Sequence, residues 1–408
     1  MNKEMEKKKK VSDKNGRNQK KTPKDIFTDT LKLKKTERYP VAPHWWGIYK
    51  YEVLGLDYKK DAWQEGEKIA VIYSKFYDKF NPDWFHLHIG TPVYFKNSEV
   101  LNRDGKNYLV VDPAFRKIKS LDRYFSVGSP ENEEIIDFAD FILGSRSNKP
   151  KVDLSSKSGI DDFIARFVHL TAEDISELGY TRHVRLISEE YGDTVFIAAH
   201  IPSAICEIFD PITGYTGFER GLISFHDFPG GMRYLLEKCY EEQLEWAKAY
   251  AGAGAHAYAI SEAFISPDIA GPDVYRRFVK DIHRDYFAEV KKMGLASICY
   301  FTGDVNPILD DLAEINIDAL MTEESKKGFV IDVKNIRERI GDRVCIFGNL
   351  DSIYLLHDGM PGDVYAETQK QLEGAKNNFI TCNGSPITPG TPKANIIKMI
   401  EAGKSEVF

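Results

Sequence analysis

Two kinds of apolar pattern alternate along the chain. Short runs rich in β-branched and aromatic residues, bounded by turn residues, read as buried strands. Eight occur: Val41–Gly47, Trp84–Gly90, Thr194–His200, Ala257–Ala263, Ala296–Gly303, Ala319–Glu324, Val344–Leu350 and Phe379–Ser385. Between them, apolar positions recur at helical spacing over Ala62–Lys79, Asp161–Leu178, Arg182–Tyr191, Gly230–Ala251, Asp273–Met293, Pro307–Ile315, Val333–Ile340, Pro361–Asn377 and Pro392–Ala402. Pro272, Pro361 and Pro392 stand at helix starts, where a missing N–H costs little. Strand–helix alternation predicts a parallel sheet covered on both faces. Eight repeats predict closure into one (β/α)8 TIM barrel of the α/β class. The interval between the second and third runs is too long for one connection. Its pattern predicts a hairpin (Tyr108–Val111 with Ile118–Leu121) and extra helices, an insertion of about 91–190 between strands 2 and 3.

Charge divides the 408 residues unevenly. Residues 1–24 hold nine Lys and one Arg against Glu4, Glu6 and Asp13, whereas the whole chain has a net charge of −7. The body is therefore acidic, which argues against nucleic-acid binding. The segment 1–35 reads as a basic, disordered tail without an apolar signal core, and 36–408 as the barrel. No apolar stretch approaches membrane-spanning length. Five scattered cysteines with no CxxC pair fit free thiols in a reducing cytoplasm.

Barrel enzymes build their sites at the C-terminal ends of the strands. There this sequence places His44, Trp45 and Trp46, then His86 and His88, His200, Glu262, Tyr300, Thr302 and Asp304, Glu323 and Glu324, Asn349 and Asp351, and Asn383 and Ser385. His86 and His88 would share one strand face, about 7 Å apart. A metal bridging them as in amidohydrolases would also require a Lys, two more His and an Asp at later strand ends; His200 is present, but the fifth run has Tyr300 and the eighth lacks a suitable Asp. Trp45, Trp46 and Trp84 read either as an aromatic wall or as core. A dinucleotide fingerprint, a P-loop and a GxSxG elbow are all missing from the sequence.

The second half resembles the uroporphyrinogen decarboxylase superfamily, through IPSAICEIF (Ile201–Phe209), AKAYAGAGAHAYAISEA (Ala247–Ala263), FISPDIAGPDVYRRF (Phe264–Phe278), GDVNPILDDL (Gly303–Leu312), FGNLDSIYLL (Phe347–Leu356) and PKANIIKMI (Pro392–Ile400). The resemblance implies the same barrel. It also implies one of two activities, haem-pathway decarboxylation or cobalamin-linked methyl transfer. The decarboxylases carry an Arg-containing segment after the first strand, where this chain has HWWGIYKYE (His44–Glu52), and their late His matches Ser385. The coenzyme M methyltransferases hold zinc through His-x-Cys and a later Cys, which match Tyr300, Thr302 and Ser385 here, so no zinc is expected at those positions. Alternation turns Cys299 away from Tyr300.

These departures point to a corrinoid-dependent methyltransferase that takes methyl from an O-methyl or N-methyl compound, such as a methoxylated aromatic, to the cobalt of a separate corrinoid protein. Glu262, Tyr300, His88 and Asp304 are the expected catalytic donors. His44, Trp45, Trp46, His86, His200, Thr302, Asn349 and Ser385 are expected to bind substrate. Glu262 and His283 are the remaining metal candidates. A homodimer is the expected assembly. Two alternatives stand beside this reading: a cofactor-independent decarboxylase or lyase using Arg182, Arg185 or Arg220 as a clamp, and a non-catalytic accessory protein with a decayed site.

Overall fold

Seven of the eight apolar runs form the strands of one parallel sheet: β1 (Trp84–Leu87), β5 (Phe196–Pro202), β6 (Ala257–Glu262), β7 (Ala296–Phe301), β8 (Ala319–Thr322), β9 (Cys345–Phe347) and β10 (Phe379–Ile380), in that spatial order. The computed structural model describes residues 20–45, 47–62, 64–90, 99–103, 106–110, 135–137, 151–210 and 214–405. The sheet curls as in a TIM-like barrel, and side chains alternate across it. Trp84, Phe196, Ala198, Ala257, Ala259, Ile298, Tyr300, Met321, Phe347 and Ile380 share the inner cluster, while Phe85, Ile197, Tyr258, Ile260, Cys299 and Leu320 pack on the helices outside.

The first run departs from expectation. Pro40–Trp45 is extended but forms only isolated parallel bridges, Val41 to Thr381 and Trp45 to Ile387. Pro40 and Pro43 have no N–H to donate, so a continuous ladder cannot form. The segment still bonds both sheet edges. Ala42 N–H donates to Thr381 O (2.8 Å), Thr381 N–H to Pro40 O (2.9 Å), and Asp83 N–H to Val41 O (2.9 Å). The buried Asp83 carboxylate pins its start, accepting from Val41 N (2.8 Å) and from both Arg38 terminal nitrogens (2.7 Å each).

The tail boundary also moves. Pro23–Leu31, assigned to the disordered tail by its charge, is a helix opened by a Thr22/Asp25 capping box with Pro at its first turn. Its Phe27 and Leu31 are four residues apart and share a face. Phe27 is fully buried, stacking on Phe196 (4.2 Å between centroids) and Trp84 (5.9 Å), and so closes the N-terminal end of the barrel interior. Residues 1–19 of the expected tail lie outside the described residues.

Within the insertion, β3 (Lys106–Val110) pairs antiparallel with β2 (Glu99–Arg103) and β4 (Ile135–Asp137), which replaces the expected pairing of Tyr108–Val111 with Ile118–Leu121. The overlooked signal was Asp104-Gly105, a two-residue hairpin sequence. Ile118–Leu121 lies outside the described residues. Helices Lys157–Phe167, Ala172–Glu177 and Arg182–Tyr191 follow, the last matching the sequence reading end for end.

Candidate functional site

Period-two alternation on three neighbouring segments brings four histidines together at the C-terminal end of the barrel. His86 follows Trp84 on the inner face of β1, His88 lies one residue past the end of that strand, His200 follows Ala198 on β5, and His44 follows Ala42. His86 stacks on Trp84 with centroids 4.7 Å apart and planes 2° from parallel. His86 Nε2 lies 2.6 Å from His200 Nδ1, and His88 lies 4.5 Å from His86 between centroids. His200 Nε2 meets Ser261 Oγ at 2.6 Å.

His86 Nδ1 faces Trp45 O at 3.1 Å, and His44 Nδ1 faces Gly384 O at 2.9 Å. Burial holds the four rings neutral. His44 is pushed down to about 4, the Gly384 carbonyl and Glu324 only partly opposing its burial. His86 and His200 fall well below the usual imidazole value, with neighbouring histidines adding to desolvation. The His88 ring is enclosed although the residue keeps partial exposure. Desolvation and then Lys50 depress it.

Across the barrel, Tyr300 meets His44 edge to face at 4.8 Å. Its hydroxyl is held well above the usual phenol value, by burial first and then by Glu323 and Glu324. Ser385 is the hub of a polar cluster. Its hydroxyl donates to Glu324 Oε1 (2.8 Å), its N–H to Glu324 Oε2 (2.6 Å), and Lys326 Nζ donates to its Oγ (3.1 Å) and to Glu324.

Other predicted residues are placed elsewhere. Glu262 follows Tyr258 and Ile260 on the outer face of β6 and is fully buried against the helices. It accepts from Tyr240 OH (2.6 Å) and Ser203 Oγ (2.7 Å) and pairs with His283 Nε2 (2.9 Å). Both residues proposed as metal candidates are thus used up in a helix–sheet clamp. Trp45 packs on Phe76 (4.6 Å) and Phe80 (5.5 Å), as outer core. Thr302 Oγ1 donates to Glu262 O (3.1 Å). Asp304 caps the following turn, accepting from Asn306 Nδ2 (2.7 Å). Asn349 Nδ2 donates to Glu323 O (2.9 Å) and Ile331 O (3.0 Å), joining loops. Trp46 lies outside the described residues.

The sequence reading missed Lys50. This buried lysine sits over the Tyr73 ring, Nζ 3.7 Å from the centroid, and Tyr73 OH lies 3.4 Å from His88 Nδ1. Burial pushes its ammonium down to about 7. Nothing in the local sequence marks it, because the helix Ile48–Leu54 has apolar neighbours on either side of a residue type that ordinarily faces water. The three arginines named as a decarboxylase clamp lie elsewhere: Arg182 bonds Glu67 (2.8 Å), Arg185 is exposed, and Arg220 donates to Val152 O (2.9 Å).

The profile of the uroporphyrinogen decarboxylase (URO-D) family matches residues 164–405. The chain belongs to this family. Its relatives include the methylcobamide:CoM methyltransferase MtaA of Methanosarcina barkeri, 33% identical over 173 residues, which are 42% of this chain and 48% of that protein. The methylcobamide:CoM methyltransferase MtbA of Methanosarcina mazei is 26% identical over 222 residues, 54% of this chain and 62% of its own length. A uroporphyrinogen decarboxylase of Chlorobium luteolum is 31% identical over 248 residues, 54% of this chain and 68% of that one. The chain thus spans about half to two-thirds of the length of these relatives. A solved methyltransferase from Methanosarcina mazei superimposes with a TM-score of 0.65 at 19% identity, over 94% of this chain and 98% of that one, and so shares the fold.

The zinc that the methyltransferase resemblance implies does not fit its usual positions here. Tyr300 is a buried phenol, Thr302 donates to a carbonyl and Ser385 to a carboxylate. Cys299 lies on the outer face, and the Cys382 thiol, raised by burial, donates to Asn383 O (3.2 Å). Among the described residues, those positions offer no thiolate.

Proposed function

We propose that this chain is a corrinoid-dependent methyltransferase that moves a methyl group from an O-methyl or N-methyl small molecule to the cobalt of a separate corrinoid protein. The observation that carries the reading is the mouth itself, where neutral His44, His86, His88 and His200 cluster and His44 and His200 meet Tyr300 edge to face at 4.8 and 6.2 Å, in place of a thiol-activating ligand set. Methyl leaves as a cation equivalent to Co(I), and the leaving oxygen or nitrogen must be stabilised as its basicity rises. A Tyr300 phenol that stays protonated can donate a hydrogen bond to that atom, and neutral His88, whose Nδ1 lies 3.4 Å from Tyr73 OH, is the second candidate donor. The family membership and the methyltransferase relatives support methyl transfer as the reaction class. A decarboxylase needs a cationic clamp, and Arg182, Arg185 and Arg220 on the outer helices do not support one.

The test is methylation of Co(I) corrinoid by the purified protein, with methoxylated aromatics and methylamines supplied as separate donors. Methyl-corrinoid should form only with protein and a donor present. Turnover of a carboxylated substrate without corrinoid would refute the reading.

A further inference from the structure

We propose that His44, His86 and His200 form a binding site for one divalent transition-metal ion of the zinc class, at positions unrelated to Tyr300, Thr302 and Ser385. One nitrogen from each ring lies within 4.8 Å of the other two, and all three residues are buried. The tautomers follow from their partners. A carbonyl oxygen only accepts, so His86 Nδ1 facing Trp45 O and His44 Nδ1 facing Gly384 O carry the protons. In each neutral ring Nε2 then bears the lone pair. These are the supports that metal-binding imidazoles use, a fixed hydrogen bond on one nitrogen and the metal on the other.

His200 completes the set. Without metal, its Nδ1–H donates to His86 Nε2, and Ser261 OH donates to its Nε2, across 2.6 Å in each case. On metal binding the ring proton moves to Nε2 and donates to Ser261 Oγ, and Nδ1 becomes a ligand. The ring stays neutral and no proton leaves the site. Bonds of about 2.0–2.1 Å in tetrahedral geometry need nitrogen separations of about 3.3 Å. Against that spacing the His86–His200 pair, 2.6 Å apart, must open by about 0.7 Å, and a pair as far apart as 4.8 Å must close by about 1.5 Å, through ring rotations. The ligands come from the Pro40–Trp45 segment, β1 and β5, which are adjacent in the ring and bonded to one another. An all-nitrogen set suits zinc(II) better than magnesium or calcium. Three protein ligands leave a fourth position for an exogenous group. Resting on the methyl-transfer reading, that group is the leaving oxygen or nitrogen of the methyl donor.

The test is zinc(II) binding by the purified full-length chain after chelator treatment, with stoichiometry from elemental analysis and cobalt(II) substitution as a spectroscopic probe of nitrogen ligation. One zinc per chain is expected. His86→Gln and His200→Gln, checked for folding by circular dichroism, should bind it weaker by more than about 100-fold. Ser261→Ala, which removes only the supporting partner and preserves the ligands, should lose about 10–100-fold. Failure of the wild type to take up zinc, equal affinity in a folded His→Gln variant, or a cobalt(II) spectrum without nitrogen ligands would overturn the site. If the His variants do not fold, Ser261→Ala decides, and unchanged affinity there refutes the proposal. Stoichiometric, histidine-dependent zinc without corrinoid methylation upholds the metal site and defeats the methyl-transfer reading instead.

Discussion

Replacing Lys50 by Met should stabilise the protein, and more so as the pH falls. Burial lowers the ammonium from 10.5 to about 7 in the native state, while the unfolded chain keeps the higher value. At about 1.4 kcal/mol per pKa unit, that shift corresponds to a penalty of about 5 kcal/mol wherever both states are protonated. The Tyr73 face beneath the ammonium returns about 1–2 kcal/mol as a cation–π contact, leaving a net of about 3–4 kcal/mol. The native value lies below the unfolded one, so the unfolded state binds more protons between them and stability rises with pH across that interval. The penalty is complete below about pH 7 and fades towards 10.5.

Methionine keeps the apolar stem and removes the charge. Urea unfolding of wild type and Lys50→Met at pH 6, 8 and 10 reads the difference directly. The variant should gain about 3–4 kcal/mol at pH 6 and less than about 1 kcal/mol at pH 10. Parallel stability profiles over that range, or a variant less stable than wild type at pH 6, would refute the argument.

Three further outcomes are expected. Phe27→Ala should cost about 3–5 kcal/mol by opening a cavity between Phe196 and Trp84, measured by thermal unfolding. Glu262→Gln should lower stability by about 2–4 kcal/mol by leaving the Tyr240 and His283 clamp imperfectly paired; a folded variant that loses turnover with no change in unfolding midpoint would contradict the outward placement of Glu262. On the proposed methyl-transfer reading, Tyr300→Phe should reduce kcat by about 10²-fold or more with little change in KM, as for loss of a general acid, and equal rates for the two proteins would remove Tyr300 from the chemistry.

Much of the architecture was legible because it is periodic. Seven strands and the helices Arg182–Tyr191 and Val333–Ile340 follow from local spacing alone. The failures have two causes, a partner distant in sequence and a local signal passed over. Pro23–Leu31 looked like tail because its charges are local, whereas what holds it is a barrel bottom built from Trp84, Phe196 and Phe347. Val41–Gly47 read as a strand from its apolar content, but Pro40 and Pro43, a local signal, reduce its described part to bridges.

The same division runs through the site. That Glu262 ends a strand is a sequence fact. That it faces the helices follows from its parity with Tyr258 and Ile260, which alternation could have exposed had the inner face of β6 been assigned from Ala257, Ala259 and Ser261. The sequence by itself determined which residue types reach the ends of the strands, because alternation and turn chemistry act over a few residues. Only the tertiary structure decided which of them meet. His44 and His86 are 42 positions apart, and His200 a further 114. Their convergence comes from the lateral order of the strands and the curl of the sheet, which no local pattern encodes. Lys50 owes its depressed ammonium to the same cause, since the long-range packing that withholds water from it leaves no trace in its own segment.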